Sequence, residues 1–170
     1  MQFHKEREKI LIIDFGSQVT KLIGRKIREL GVYSEIITPH KFKKLKKFDL
    51  IKGIILSGGP SSVNSKNFQT IPKSTFEKNI PILGICYGLQ LIAKLFGGKI
   101  KPSKIRREFG RAYLIKRNNS LLTKNFFKKK MAVWMSHEDA VVKLPKFFKT
   151  VASTKTSKLT IIENSKNNKL

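Results

Sequence analysis

One cysteine, Cys86, stands between two glycines in the run Gly84-Ile85-Cys86-Tyr87-Gly88, where an apolar stretch gives way to an amphipathic one. A G-x-nucleophile-x-G run at a strand-to-helix junction is the pattern of a nucleophile elbow. The sharp turn strains the backbone of the central residue and lifts its side chain above the sheet edge. The flanking glycines admit neighbouring backbone that a Cβ would block. A helix starting at Cys86 would aim its first amides and its positive dipole end at the sulfur, and the sequence therefore predicts a lowered thiol pKa. A buried cysteine acting as a small hydrophobe is the competing reading; its place between two glycines at a strand end favours the nucleophile.

Two further groups of residues bear on chemistry. Ser57-Gly58-Gly59-Pro60-Ser61-Ser62-Val63 follows a second apolar stretch. Glycines in series can turn backbone N–H groups toward one point and hold an anion or an oxyanion, although strand-end glycines are also ordinary turn residues. No Gly-Lys-Ser/Thr follows, so this is not a P-loop. The loop gains meaning beside the elbow, because ligands of open α/β sheets sit at the carboxyl ends of the strands. The third group is Trp134-Met135-Ser136-His137-Glu138-Asp139. A histidine beside two carboxylates suits acid–base chemistry; the same run would equally serve as a turn capping a helix through Ser136 or Asp139. His4 lies in a charged amino-terminal tail and His40 follows Pro39 in a loop, and neither is placed as a base.

The elements that must position these residues follow from periodicity. Strands are expected at Lys9–Asp14, Val32–Thr38, Lys52–Ser57 and Pro81–Ile85. A helix is expected at Gln18–Leu30, with Val19, Leu22, Ile23, Ile27 and Leu30 on its apolar face, Ser17 capping its start and Gly31 its end. Lys41–Phe48 reads as a basic connector with some helical character. Gly88–Phe96 reads as a short helix closed by Gly97-Gly98. Alternating strands and helices, with strands apolar on both faces, indicate an open, mostly parallel sheet covered by helices on both faces. After Gly98 the pattern changes to short strand candidates at Lys99–Ile100, Arg111–Lys116, Met131–Met135, Lys149–Ser153 and Leu159–Glu163.

Composition narrows the class. A chain of 170 residues with 40% hydrophobic content is long enough for a real core in one domain. A lone cysteine excludes an internal disulfide and a cysteine-based zinc site, and suits a reducing, cytoplasmic setting. No run of about 18 apolar residues predicts a membrane span, and the amino terminus has no apolar segment of the signal-peptide type. The formal net charge is +25, which raises nucleic-acid binding. Only 7 of the 36 basic residues are arginine, whereas phosphate clamps and base readers lean on arginine. The lysines are scattered over 41–47, 128–130 and 143–149, and Phe42, Phe48, Phe147 and Phe148 near them have the spacing of anchors for surface turns. A solvated basic surface is the expectation, with no specific nucleic-acid partner.

Taken together, Ile10–Gln18 (ILIIDFGSQ), Ile54–Val63 (IILSGGPSSV), Pro81–Leu91 (PILGICYGLQL), Arg107–Ala112 (REFGRA) and Val133–Val141 (VWMSHEDAV) resemble the class I, Cys-His-Glu glutamine amidotransferases, and within them the GMP synthetase branch. The resemblance runs from residue 9 onward, with residues 1–8 as a tail, and implies a flavodoxin-like fold. It implies Cys86 as nucleophile, the backbone N–H groups of Gly59 and Tyr87 as oxyanion donors, and Gly58, Ser61, Gln90, Ser136, His137 and Asp139 as contacts to glutamine. It further implies a synthetase domain of the same protein as partner, a homodimer for the full-length enzyme, and ATP with magnesium bound in the synthetase part, none being required in this domain.

Two departures carry consequences. Glu138 stands where the family most often has glycine. The family's His-Pro-Glu segment belongs on a strand beyond Asn168, and this chain stops at Leu170 after the turn-like 164–169. The expectation is a domain cut before its last strand or strands and inactive alone, with His137 not substituting for the base. The alternatives are an amidotransferase serving another synthetase, a noncatalytic amidotransferase-like docking module, and a basic nucleic-acid-binding domain.

Overall fold

In the computed structural model, residues 7–102, 108–125, 127 and 129–166 are described. They divide into two compact units, the first up to Leu91 and the second from Ile92.

The first unit is built on a four-stranded parallel sheet in the order β2-β1-β3-β4, with β1 at Lys9–Ile13, β2 at Ser34–Ile37, β3 at Ile51–Leu56 and β4 at Ile82–Gly84. Leu11, Ile12, Ile13, Ile54 and Leu56 are almost completely buried. Each such side chain removed from water stabilises the fold by about 1.5–3 kcal/mol, and a sheet buried on both faces is why these strands read as unbroken apolar runs.

Helix α1 (Thr20–Glu29) packs on β1 and β2. Its buried residues are Thr20 and Gly24, one turn apart. Ser34 ties it down, donating to the Gly24 carbonyl (2.9 Å) and accepting from Arg28 (2.9 Å). Because contact is made along this small-residue row, Val19, Leu22 and Leu30 are exposed and only Ile23 and Ile27 are partly covered. The apolar stripe expected to face the core is thus turned largely outward. The N-cap is Val19 rather than Ser17, whose Oγ instead accepts from the Val19 amide at 3.3 Å. Gly31 ends the helix as expected, with φ +78° and its amide on the Arg28 carbonyl. The basic connector holds one short helix, α2 (Pro39–Lys43), capped by the Thr38 side chain.

Helix α3 (Tyr87–Leu95) follows β4 directly. The second unit holds an antiparallel sheet, β10-β9-β6-β7, formed by β6 (Glu108–Lys116), β7 (Lys130–His137), β9 (Phe148–Ser153) and β10 (Ile161–Asn164). Leu114, Phe127 and Ala152 form its core, with Met131, Val133 and Ile161 against them. A separate antiparallel pair joins β5 (Lys99–Pro102) to β8 (Asp139–Lys143). The parallel sheet is therefore confined to the first half. The run 136–139, read as a turn that could cap a helix, is instead the end of one strand and the start of another. Phe147 also departs from its expected role as an anchor: it is 49% exposed, at φ +68°, with Lys146 and Lys166 over its ring.

Candidate active site

Three parallel strands end at one level. Ile13 of β1 is the register partner of Leu56 of β3, and Leu56 that of Gly84 of β4. The loops after them, Asp14–Ser17, Ser57–Pro60 and Ile85–Cys86, therefore emerge side by side at the carboxyl edge of the sheet, where open α/β folds bind ligands.

The elbow is present. Cys86 has φ +50°, a left-handed conformation that a non-glycine residue adopts only where its surroundings enforce it. The enforcement is visible in the contacts. A Cβ on Gly84 would fall 2.6 Å from the backbone of Gly88, and one on Gly88 would fall 2.3 Å from the Leu56 carbonyl oxygen. Both lie far inside contact distance, so the turn closes onto β3 only with glycine at each position. The Gly88 amide donates to the carbonyls of Ser57 (3.1 Å) and Ile85 (2.9 Å), while the Ile85 amide donates to Leu56 O (2.9 Å). Cys86 is the single free thiol and is exposed.

The Gly-Gly loop lies against it. A Cβ on Gly58 would sit 3.5 Å from Cys86 Cβ and 3.4 Å from Ser17 Oγ; one on Gly59 would sit 2.5 Å from the Phe15 carbonyl oxygen. Tyr87 is held at both ends, its ring 5.0 Å from that of Phe15 and its hydroxyl donating to Gln69 O at 2.6 Å. Its backbone amide opens α3, where the first amides have no acceptor within the helix. Asp14 shapes the neighbouring loop by accepting from the Gly16 amide (2.9 Å) and the Thr20 hydroxyl (2.8 Å).

The thiol departs from the expectation. Although the residue as a whole is exposed, partial burial of its sulfur pushes the Cys86 pKa up, because lost hydration disfavours the thiolate. The lowering predicted from the helix start is not what results, and the thiol needs a proton acceptor to react at neutral pH.

The structure brings together Cys86, Tyr87, Gly58 and Gly59. Ser61 is exposed on the same loop, and Gln90 is buried one helical turn after Cys86, its backbone N–H donating to Cys86 O at 3.1 Å. Ser136, His137 and Asp139 belong to the second unit. On β7, Ser136 is exposed like Trp134, whereas His137 is half-buried like Met131, Val133 and Met135. Alternation along a strand sends adjacent side chains to opposite faces, so these two side chains do not serve one ligand from the same face. Glu138 raises no backbone difficulty: among described residues other than glycine, only Cys86 and Phe147 have positive φ. His40 is exposed on α2, and His4 lies outside the described residues. Among the described residues no group of His, Cys, Asp and Glu could hold a metal ion, and no helix is long and apolar enough to cross a membrane. Sequence reasoning gave Phe15 no role of its own, named Ser17 only as a helix cap and Ser57 only as the first residue of the Gly-Gly loop.

Comparison with known proteins identifies the family. The family glutamine amidotransferase class-I matches residues 11–170. The chain is 42% identical over 172 residues to the glutamine-hydrolysing GMP synthase of Macrococcus caseolyticus, covering 99% of this chain and 32% of that protein. It is 48% identical over 153 residues to the enzyme of the same name from Cytophaga hutchinsonii, covering 88% and 29%. The chain thus spans about a third of the length of the curated relatives it matches. Among solved structures, a candidate GMP synthase component from Thermoplasma acidophilum superimposes with a TM-score of 0.84 at 29% identity, over 97% of this chain and 82% of that one. A glutamine amidotransferase from Thermotoga maritima shares the fold, with a TM-score of 0.74 at 20% identity over 95% and 76%.

Proposed function

The chain belongs to the class I glutamine amidotransferase family, and on that premise we propose that it is the glutaminase part of a GMP synthetase. Cys86 Sγ attacks the side-chain amide carbon of glutamine. The carbonyl oxygen becomes an oxyanion held by the amides of Gly59 and Tyr87. The C–N bond then breaks, ammonia leaves with the proton that the thiol gave up, and a γ-glutamyl thioester remains on Cys86. Water hydrolyses it to glutamate and restores the thiol. The ammonia passes to an ATP- and magnesium-dependent synthetase part that aminates activated XMP. Gly58, Ser61 and Gln90 border the glutamine.

The observation that carries this reading is the strained Cys86 (φ +50°) with the Gly58-Gly59 loop set against it. Because burial raises the thiol pKa, proton removal is a separate task, and we assign it to none of His4, His40 and His137.

The test is covalent labelling by a chloroketone analogue of glutamine at alkaline pH, where hydroxide supplies the thiolate. The peptide containing Cys86 should gain the adduct, saturably in reagent, and free glutamine should protect it. Labelling that is neither saturable nor protected would instead support a noncatalytic, amidotransferase-like docking module.

A further inference from the structure

We infer that Ser57 is the positioning residue that aims the oxyanion-binding amide of Gly59, an inference that rests on the glutaminase reading above. Ser57 is fully buried, at 0% exposure. Its hydroxyl accepts from the Phe15 amide (3.0 Å) and donates to the Gly58 carbonyl (2.7 Å), using its one proton and one of its acceptor sites. The second bond sets the orientation. In a trans peptide the C=O and the following N–H point in opposite directions, and no described peptide is cis. Holding the Gly58 oxygen on Ser57 therefore fixes the Gly59 N–H on the opposite side of that peptide, away from the Ser57 hydroxyl.

The backbone of Ser57 adds two further ties. Its amide donates to Ile13 O (3.0 Å), and its carbonyl accepts from the Gly88 amide (3.1 Å). One residue thus joins the end of β1, the Gly-Gly loop and the first turn of α3, which offers the second donor at Tyr87. Glycines at 58 and 59 leave the intervening peptide otherwise free to rotate. A preorganised oxyanion site needs that freedom removed before the reaction, and the serine hydroxyl is the group placed to remove it.

The experiment compares Ser57→Ala, Ser57→Thr and Ser57→Val in saturation kinetics of Cys86 inactivation by the glutamine chloroketone. Iodoacetamide, which develops no oxyanion, measures the intrinsic reactivity of the same thiol. Loss of the hydroxyl should lower the limiting inactivation rate about 10- to 100-fold, less than or comparable to loss of an oxyanion donor. The half-saturating concentration and the iodoacetamide rate should stay within about threefold. Thr and Val have nearly the same shape, so Ser57→Thr should retain most of the rate that Ser57→Val loses, and this pair decides the matter even if Ser57→Ala folds poorly. Equal chloroketone rates in Thr and Val variants, or parallel losses with both reagents, would overturn the assignment. Failure of the unmutated protein to label saturably would instead overturn the glutaminase reading.

Discussion

Replacing Gly59 by alanine places a methyl group where the structure has no room for one. The added Cβ would lie 2.5 Å from the Phe15 carbonyl oxygen and 3.1 Å from Phe15 Cβ. Restoring ordinary contact, which begins near 3.4 Å, requires a shift of about 0.9 Å. Phe15 is poorly able to give way: it is 3% exposed, its amide is bonded to Ser57 Oγ, and its ring packs on Tyr87. The displacement therefore falls on the Gly58-Gly59 peptide and moves the amide proposed to hold the oxyanion. A misplacement of about 1 Å costs on the order of 100-fold in rate, and outright loss of one oxyanion donor costs about 100- to 1000-fold. The expected result is a limiting chloroketone inactivation rate about 100-fold below that of the unmutated protein, about 2.7 kcal/mol in barrier. Iodoacetamide labelling should change little, while the melting temperature falls by a few degrees as the loop yields to the added methyl. If the GMP synthetase reading proposed above holds, ammonia-dependent GMP formation by the complete enzyme should persist while glutamine-dependent formation falls. A chloroketone rate within threefold of the unmutated value would refute the placement of Gly59 as donor; joint loss of both activities in the complete enzyme would point to misfolding instead.

Other expectations follow from the same contacts. Gly88→Ala puts a Cβ 2.3 Å from Leu56 O inside the sheet–helix junction; overpacking of this kind costs about 1–3 kcal/mol or more, so the melting temperature should fall by several degrees in calorimetry. Because burial raises the Cys86 pKa, the iodoacetamide rate should rise with pH through an inflection above that of a free thiol, about 8.5; an inflection below that value would mean that the helix terminus outweighs burial. At neutral pH, His137→Ala should leave the limiting chloroketone inactivation rate unchanged within about twofold, whatever happens to the half-saturating concentration; a large drop in the limiting rate would identify His137 as the base. Phe127→Ala, at a core position 1% exposed, should destabilise the protein by about 3–5 kcal/mol, measured by urea unfolding.

The parts of the molecule legible in the sequence are those written in short-range pattern. The strands β1, β3 and β4 declare themselves as apolar runs, and the elbow as a cysteine framed by glycines, because the close approach of Gly88 to Leu56 tolerates nothing larger. The outward turn of Leu22 and Leu30 was hidden, since α1 meets the sheet along Thr20 and Gly24, residues that carry no hydropathy signal. The strand character of 136–139 was hidden as well: His, Glu and Asp are common in turns, and only pairing of β6 with β7 and of β5 with β8 reveals the extended chain. The sign of the thiol shift depended on how deeply the fold covers the sulfur. The hydroxyl of Ser57 had no signature, because a serine at a strand end reads as solvent-facing until the partners of its oxygen are known.

The solitary state of Cys86 also sets how this chain meets oxidants. An exposed thiol converted to a sulfenic acid is normally rescued when a nearby second thiol condenses with it, forming a disulfide that reductants can open. These 170 residues contain no other cysteine. Recovery must therefore draw on a thiol from elsewhere, such as a small-molecule reductant entering the mouth of the site. Without one, a second equivalent of peroxide carries the sulfur to the sulfinic acid, from which simple reductants do not return it.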